Sequence, residues 1–324
     1  MKDKVVDNLN NDMTKVTIIG AGEVGSACAN CLADRDVVNQ LILFDIKEGI
    51  AEGKALDLRQ SASLKRFDTK IVGVTNDYSA TKDSDIVVIT SGITRKPGME
   101  RSDFVSTNAH IIQNVSKSIS DYSPNAVIIV VSNPLDVLCY CALKASGFRS
   151  NRVLGMSGLL DIARYRSFIS EILNISVKDI QALILGGHGK TMVPMPRYTT
   201  IGGIPLRQLL SEEQIQQAVN RTRLGGEELI NYLGRSAWYA AGAAICEMVE
   251  SIIGNQHRVF PVCAYLNGEY GFTDIYLGVP VILGADGVEQ ILELELDPED
   301  RDNFAASEKE VRENLNLMKS LVRL

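Results

Sequence analysis

A histidine between glycines is the residue in this sequence whose type and setting best suit proton transfer. His188 lies in "ILGGHGKTM", directly after an apolar run, and the chain has three histidines in all. Histidine titrates close to neutral pH and is the most frequent acid or base in enzyme mechanisms. The flanking glycines leave the imidazole open to a cleft, although an isolated histidine of this kind also fits a purely structural role.

A carboxylate and a guanidinium stand three residues apart upstream of this histidine. Asp161 and Arg164 lie in "GLLDIARYR", within an apolar pattern of helical period. Residues three apart share a helix face, so the two form at least an intrahelical ion pair. Together with His188 they suggest more, because a carboxylate can orient an imidazole and a guanidinium can bind an anion.

Three cations surround a turn in "SGITRKPGMERSDF", which follows the apolar run "DIVVIT". They are Arg95, Lys96 and Arg101, and the turn is Pro97-Gly98. A charged Pro-Gly segment is usually a solvated surface turn. The alternative is a lid that closes over an anionic ligand and brings its cations with it.

A glycine-rich loop predicts a dinucleotide site near the N-terminus. "GAGEVG" supplies Gly20, Gly22 and Gly25 between a strand and a helix, which is the setting of the pyrophosphate-binding turn. Asp45 ends the next strand, where its carboxylate can accept both adenosine ribose hydroxyls and would repel a 2′-phosphate. The cofactor predicted is therefore NAD rather than NADP, with a structural glycine turn as the alternative.

Asn133 follows another apolar run, in "VVSNPLDV". Ligands of parallel sheets bind at the carboxyl ends of the strands, so Asn133 is placed to hydrogen-bond both substrate and cofactor. An asparagine before a proline is equally typical of a turn.

The elements that would position these residues alternate in the first half of the chain. Strand-like runs cover 15–20, 41–45, 70–74, 85–90 and 125–132, with helical patterns between them at, for instance, 24–33 and 103–120. This alternation predicts a Rossmann-type doubly wound parallel sheet with helices on both faces.

After about residue 150 the pattern changes to that of an α+β substrate or catalytic domain with antiparallel strands. Helices are predicted at 157–173, 211–233, 236–253 and 306–322, a Gly-Gly hairpin at 197–206, and an antiparallel meander at 259–284. The expected organisation is an N-terminal extension (1–13), a dinucleotide-binding domain (14–155) and a substrate domain (156–324). No flexible linker separates the last two, which should pack tightly.

Composition narrows the class of protein. A net charge of −7 argues against nucleic acid as a main partner, and no apolar run approaches the roughly 18 residues that span a bilayer. The first 13 residues lack the apolar core of a signal peptide. Six cysteines, of which Cys28 and Cys31 lie on a small-residue helix, fit buried thiols of a reduced cytoplasmic protein, and no metal site is expected.

In combination, "GAGEVG", "FD", "RKPGMER", "SNPLD", "LDIAR" and "GGHG" resemble the lactate/malate dehydrogenase superfamily in order and spacing, from about residue 14 to the C-terminus. The chain is most similar to the malate dehydrogenases that are closer in sequence to lactate dehydrogenase. The resemblance implies a cytoplasmic homodimer or homotetramer that uses NAD on malate and oxaloacetate, a reaction of the tricarboxylic acid cycle.

The resemblance also assigns roles. It implies that His188 is the acid/base, that Asp161 orients it, and that Arg101 polarises the reacting carbonyl. The two substrate carboxylates would be bound by Arg164 and Arg95. The cations around Pro97-Gly98 would then serve to bind a substrate with two negative charges. Further contacts are implied for substrate at Asn133 and Ser236, and for cofactor at Gly20, Gly22, Gly25, Asp45, Asn108, Val131, Ser132 and Asn133.

Three other functions are compatible with parts of the sequence. In a lactate dehydrogenase the substrate has one carboxylate and would leave Arg95 unpaired, and an NAD-dependent glycosidase resembles the chain only at its start. A non-catalytic NAD-binding regulator would have no need of the predicted catalytic residues. Two residues depart from the family pattern. Lys190, two residues after His188, is expected to lower the pKa of the imidazole, and Glu23 in the glycine loop is expected to oppose pyrophosphate mildly.

Overall fold

The first half of the chain folds as parallel strands separated by helices. The computed structural model describes residues 14–94 and 98–323. Strands β1 to β6 are Lys15–Ile19, Gln40–Asp45, Lys70–Thr75, Ile86–Ile89, Val127–Val130 and Val153–Gly155. Helices α1 to α4 are Glu23–Arg35, Ile50–Lys65, Arg101–Tyr122 and Leu135–Ser146.

The second half mixes helices with antiparallel strands. Helices α5 to α8 are Gly158–Leu173, Glu212–Leu233, Tyr239–Ile253 and Pro298–Leu321. Five two-residue strands, β7 to β11, are Ile180–Gln181, Ile184–Leu185, Val193–Pro194, Thr200–Ile201 and Ile204–Pro205. Three longer strands, β12 to β14, are Arg258–Asn267, Thr273–Gly284 and Gly287–Ile291.

One nine-stranded sheet runs through both halves. Its order is β14-β13-β12-β6-β5-β4-β1-β2-β3, and the six strands from β3 to β6 are parallel. The other three are antiparallel and join the sheet where Cys263 pairs with Gly155. The predicted fold class, a Rossmann-type doubly wound sheet followed by an α+β part, is confirmed.

The core explains the near-continuous apolar strands. All four residues of β4 and of β5 are buried, as expected for strands covered by helices on both faces. One buried cluster contains residues of both halves, from Val16 on β1 to Val311 on α8. The tight packing expected between the halves is therefore present.

Some elements differ from the sequence prediction. The short strand β6 was not predicted, because three residues are too few to show a period. Helix α8 begins eight residues earlier than predicted, since its first turns are charged and its buried stripe starts only at Phe304. The overlooked signal was the pair Asp297-Pro298. The Asp297 carboxylate caps the helix by accepting a hydrogen bond from Asp300 N–H at 2.9 Å, and Pro298 is the first helical residue. No helix in the described part of the chain is long and apolar enough to cross a membrane.

Candidate active site

The glycine loop joins β1 to α1 in a tight turn that only glycine permits. Gly20 has a φ of +109°, and a Cβ there would lie 2.8 Å from Ser91 N. A Cβ on Gly25 would lie 2.0 Å from Gly20 O, so this glycine lets α1 pack against the turn. At Gly22 a Cβ would meet nothing within 4 Å. The loop therefore leaves an open space in front of the N-terminus of α1, as a pyrophosphate requires.

Asp45 is the last residue of β2 and lies beside this loop. Its Oδ2 accepts a hydrogen bond from Ala21 N–H at 2.8 Å, and its Oδ1 accepts one from Lys47 N–H at 3.0 Å. The carboxylate is thus held next to the glycine turn, at the position predicted for ribose recognition.

Asn108 joins the loops that follow β4 and β5. The side chain is fully buried on α3, its Oδ1 accepts from Ile93 N–H at 2.8 Å, and its Nδ2 donates to Ile93 O and to Asn133 O. Next to Asn133, Ser132 is buried and donates to Ser91 O, and Val131 N–H donates to Ile89 O. The predicted residues 131–133 and 108 therefore lie together at the carboxyl ends of β4 and β5.

Asp161 contacts both of the other residues predicted to act with it. Its Oδ2 lies 2.8 Å from His188 Nδ1, and its Oδ1 accepts from Arg164 Nη1 at 3.1 Å. The Asp161 side chain is 1% exposed, whereas His188 and Arg164 are each 15% exposed. A ring nitrogen that donates to a carboxylate leaves the other one, Nε2, to exchange a proton in the cleft. The helical pair and the glycine-flanked histidine form one cluster.

The charges around His188 set its titration. Burial of the ring disfavours its charged form, but the Asp161 carboxylate outweighs this effect, so the pKa of His188 lies above its ordinary value. Asp136 on α4 acts in the same direction, and Arg164 opposes it. Asp136 was not predicted as a site residue. The only signal for it was an acidic residue in the otherwise apolar helix "LDVLCYCAL".

The other residues predicted to contact the substrate, Arg101 on the lid and Ser236 elsewhere, are not gathered around His188 in the described part of the chain. Arg101 is the first residue of α3, its side chain is 54% exposed, and its guanidinium lies 3.8 Å from Glu310 on α8. Ser236 is exposed in the connection between α6 and α7. Arg95 lies outside the described residues. The closed arrangement of these three around a substrate stays a prediction.

Both departures from the family pattern have ion-pair partners. Lys190 Nζ lies 2.6 Å from Glu227 on α6, with 67% of the lysine side chain exposed. The charged groups that act most strongly on the pKa of His188 are Asp161, Arg164 and Asp136, so the lowering expected of Lys190 stays a prediction. Glu23 lies 3.5 Å from Arg235, so its charge is partly offset.

None of the six cysteines forms a disulfide, and all but Cys31 are buried. Among the described residues, no group of three or more His, Cys, Asp or Glu side chains is arranged to hold a metal ion.

Comparison with known proteins places this geometry in a family. Residues 14–155 match the model of the lactate/malate dehydrogenase NAD binding domain, and residues 159–322 match that of the lactate/malate dehydrogenase alpha/beta C-terminal domain. The malate dehydrogenase of Cytophaga hutchinsonii is 54% identical over 307 residues, which cover 95% of this chain and 98% of that protein.

Solved structures agree with this match. The malate dehydrogenase of Salinibacter ruber superposes with a TM-score of 0.91 at 48% identity, covering 95% of this chain and 98% of the other. A lactate dehydrogenase of Cryptosporidium parvum, solved with lactic acid and nicotinamide adenine dinucleotide, also gives 0.91, at 36% identity and coverage of 95% and 98%. The backbone alone therefore does not separate the two activities, but the chain belongs to the lactate/malate dehydrogenase family.

Proposed function

We propose that the protein is an NAD-dependent malate dehydrogenase, which interconverts malate and oxaloacetate. The observation that carries the proposal is the Asp161 carboxylate, which contacts the proton-transfer candidate His188 and the anion-binding candidate Arg164 at once. The malate dehydrogenase of Cytophaga hutchinsonii is 54% identical to this chain and the lactate dehydrogenase of Cryptosporidium parvum 36%, which favours malate over lactate as the substrate. We assign residues 14–155 to cofactor binding and residues 156–324 to substrate binding.

The residues of the first half fit NAD. Gly20, Gly22 and Gly25 give a turn with free space ahead of a helix N-terminus, where pyrophosphate is favoured. We assign Asp45, which lies beside this turn, to the adenosine ribose hydroxyls, and residues 131–133 with Asn108 to the rest of the cofactor. When bound, the nicotinamide accepts a hydride from malate or returns one to oxaloacetate.

The proton of the reaction passes through His188. In malate oxidation the neutral imidazole takes the hydroxyl proton at Nε2, and in oxaloacetate reduction the imidazolium gives it back. Asp161 holds Nδ1–H and stabilises the charged ring. The raised pKa of His188 supports this role, because it maintains a protonated fraction near neutral pH.

The substrate is held by cations from two elements. Arg164 on α5 binds one carboxylate, and Arg95 binds the second when the loop closes. Arg101, at the end of the same loop, polarises the carbonyl whose charge grows in the transition state. Asn133 and Ser236 complete the contacts. Closure also excludes water from the reacting centre.

The test of this proposal compares two substrates. NADH oxidation is measured with oxaloacetate and with pyruvate, for the wild type and for Arg95→Gln. Loss of one charged pair in a closed site weakens transition-state binding by about 2–5 kcal/mol, so oxaloacetate reduction should fall roughly 30- to 3000-fold while pyruvate reduction holds or rises. A wild type that prefers pyruvate would identify a lactate dehydrogenase instead. An unchanged oxaloacetate rate in the variant would remove Arg95 from its assigned role.

We further propose a cytoplasmic homodimer or homotetramer that acts in the tricarboxylic acid cycle. Exposed apolar side chains on α2, namely Ile50, Leu56 and Leu64, and Tyr239 at the start of α7 support an interface between copies. Free cysteines fit a reducing compartment. Sedimentation equilibrium of the purified protein determines the oligomeric state, and a monomer would contradict this part of the proposal.

A further inference from the structure

A second carboxylate besides that of Asp161 contacts the histidine that is proposed to transfer the proton. Asp136 on α4 accepts a hydrogen bond from the backbone N–H of His188 at Oδ2, 3.1 Å away. Its Oδ1 accepts one from the thiol of Cys263 on β12, at 3.2 Å. The residue is 7% exposed in an apolar helix. A buried carboxylate held only by neutral donors is costly in stability, so a functional reason for it is worth seeking.

The backbone around His188 is fixed at three consecutive residues by three different elements. Gly186 exchanges two hydrogen bonds with Gly278 on β13, at 2.9 and 3.0 Å. Gly187 N–H donates to Ser307 Oγ on α8 at 2.8 Å, and His188 N–H donates to Asp136. Hydrogen bonds from other elements therefore fix the backbone of this glycine-rich segment. Of the three residues that anchor it, Gly278, Ser307 and Asp136, only Asp136 has an ionisable side chain.

We propose that Asp136 is a positioning residue for His188: it fixes the histidine backbone and places a second negative charge behind the imidazole. Asp161 acts on the ring through Nδ1, whereas Asp136 acts through the backbone and through its field. The inference rests on the proposed role of His188 in proton transfer.

Among the described residues, the charged groups that act most strongly on His188 lie on two helices. Asp161 and Arg164 lie on α5 and Asp136 lies on α4, while Cys263 on β12 and Ser307 on α8 are neutral. The field of Asp136 favours the imidazolium. Burial raises the pKa of Asp136 itself, but both of its donors point at carboxylate oxygens and favour the ionised form.

The charge is tested on the free protein, without substrate or cofactor. Asp136→Asn keeps an acceptor oxygen for His188 N–H and removes the charge. The titration of the three histidines, His110, His188 and His257, is followed by NMR of histidine-labelled protein, with His188 assigned from His188→Gln. The expected result is a shift of the His188 midpoint to lower pH in Asp136→Asn, with the other two midpoints unchanged. An unmoved His188 midpoint would overturn the proposal.

A matched variant separates the charge from the anchoring. Ser307→Ala removes the neighbouring backbone anchor without changing any charge, so the His188 midpoint should stay while kcat falls. Asp136→Ala removes anchor and charge together, and kcat should fall further, roughly 100-fold for a misplaced imidazole. If Ser307→Ala moved the midpoint as far as Asp136→Asn does, loop position and not charge would be responsible, and the proposal would fail.

Kinetics then distinguish this inference from the function on which it rests. The pH profile of oxaloacetate reduction should move to lower pH in Asp136→Asn, in parallel with the NMR midpoint. An NMR shift without a kinetic shift would leave the electrostatic action of Asp136 intact and would overturn the assignment of His188 as the acid.

Discussion

At the scale of single residues, Asp161 couples two tasks that are separate in the chain. One oxygen holds the imidazole of His188 and the other holds the guanidinium of Arg164, so the proposed proton donor and the proposed carboxylate-binding group share one support on α5. Because the carboxylate is almost fully buried, little water competes for either contact. If Arg164 and His188 have the proposed roles, a substrate bound by Arg164 lies at a fixed distance from the imidazole that exchanges its proton.

The pH dependence of the two reaction directions follows from this contact. The pKa of His188 is raised. Because oxaloacetate reduction needs the imidazolium in the proposed mechanism, its rate should be highest below that pKa and should fall as the pH rises through it. Malate oxidation needs the neutral ring and should rise over the same interval. Asp161→Asn should move both midpoints to lower pH and reduce kcat/KM on the order of 100-fold or more. Stopped-flow rates of both directions measure this, and midpoints that stay in place would contradict it.

Asp45, the residue proposed to select the cofactor, also has a structural contact with the glycine turn. Asp45 is expected to repel the 2′-phosphate of NADPH by on the order of a few kcal/mol. Asp45→Asn keeps an acceptor for Ala21 N–H but removes the charge, so the preference for NADH over NADPH in kcat/KM should fall by roughly tenfold or more. Asp45→Ala, the companion variant, should also weaken NADH binding, since the glycine turn loses its support. An unchanged preference in both variants would show that another group selects the cofactor.

At the scale of elements, substitution of alanine for two glycines of the same loop should affect stability and NADH binding differently. In Gly25→Ala the Cβ meets Gly20 O at 2.0 Å, so α1 must move from the turn, a destabilisation of about 1–3 kcal/mol with loss of NADH binding. In Gly22→Ala the Cβ meets no atom within 4 Å, so the melting temperature should hold while NADH binding weakens. Thermal melts and NADH fluorescence titrations separate the two effects. Equal melting temperatures for both variants would contradict the packing argument.

Local patterns predicted most of these elements, and the misses have physical causes. The motif residues after β1, β2 and β5 and on α5 were found because strand ends and helical spacing are visible in sequence. The pairing of β12 with β6 was not, since it depends on a contact between residues 155 and 263, far apart in the chain. Asp136 was missed for the same reason: its partners, His188 and Cys263, are distant in sequence.

At the scale of the whole molecule, the two halves are joined by more than the shared sheet. Helix α1 of the first half packs on α7 of the second, and Arg35 forms ion pairs with Glu247, at 2.6 Å, and with Glu250. At the crossing point Gly242 faces α1, where a Cβ would lie 2.7 Å from Ala27 C. Since the proposed cofactor residues and His188 lie in different halves, this junction helps to set the distance between the two proposed binding regions.

From this junction we predict that the chain unfolds as one unit and that a methyl group added at Gly242 lowers the stability of the entire protein. Gly242→Ala should destabilise the protein by about 1–3 kcal/mol, with a melting temperature several degrees lower. The control is Gly226→Ala on α6, where a Cβ meets nothing within 4 Å and the helix gains about 0.5–1 kcal/mol. Two melting curves are recorded for each protein. Far-UV circular dichroism follows the whole chain, and the fluorescence of the single tryptophan, Trp238, follows the second half. The two melting curves should coincide in all three proteins, because the sheet and the shared core leave no half that is stable alone. Separate transitions in the wild type, or equal melting temperatures for the two variants, would show that the halves are joined less tightly than the packing at Gly242 implies.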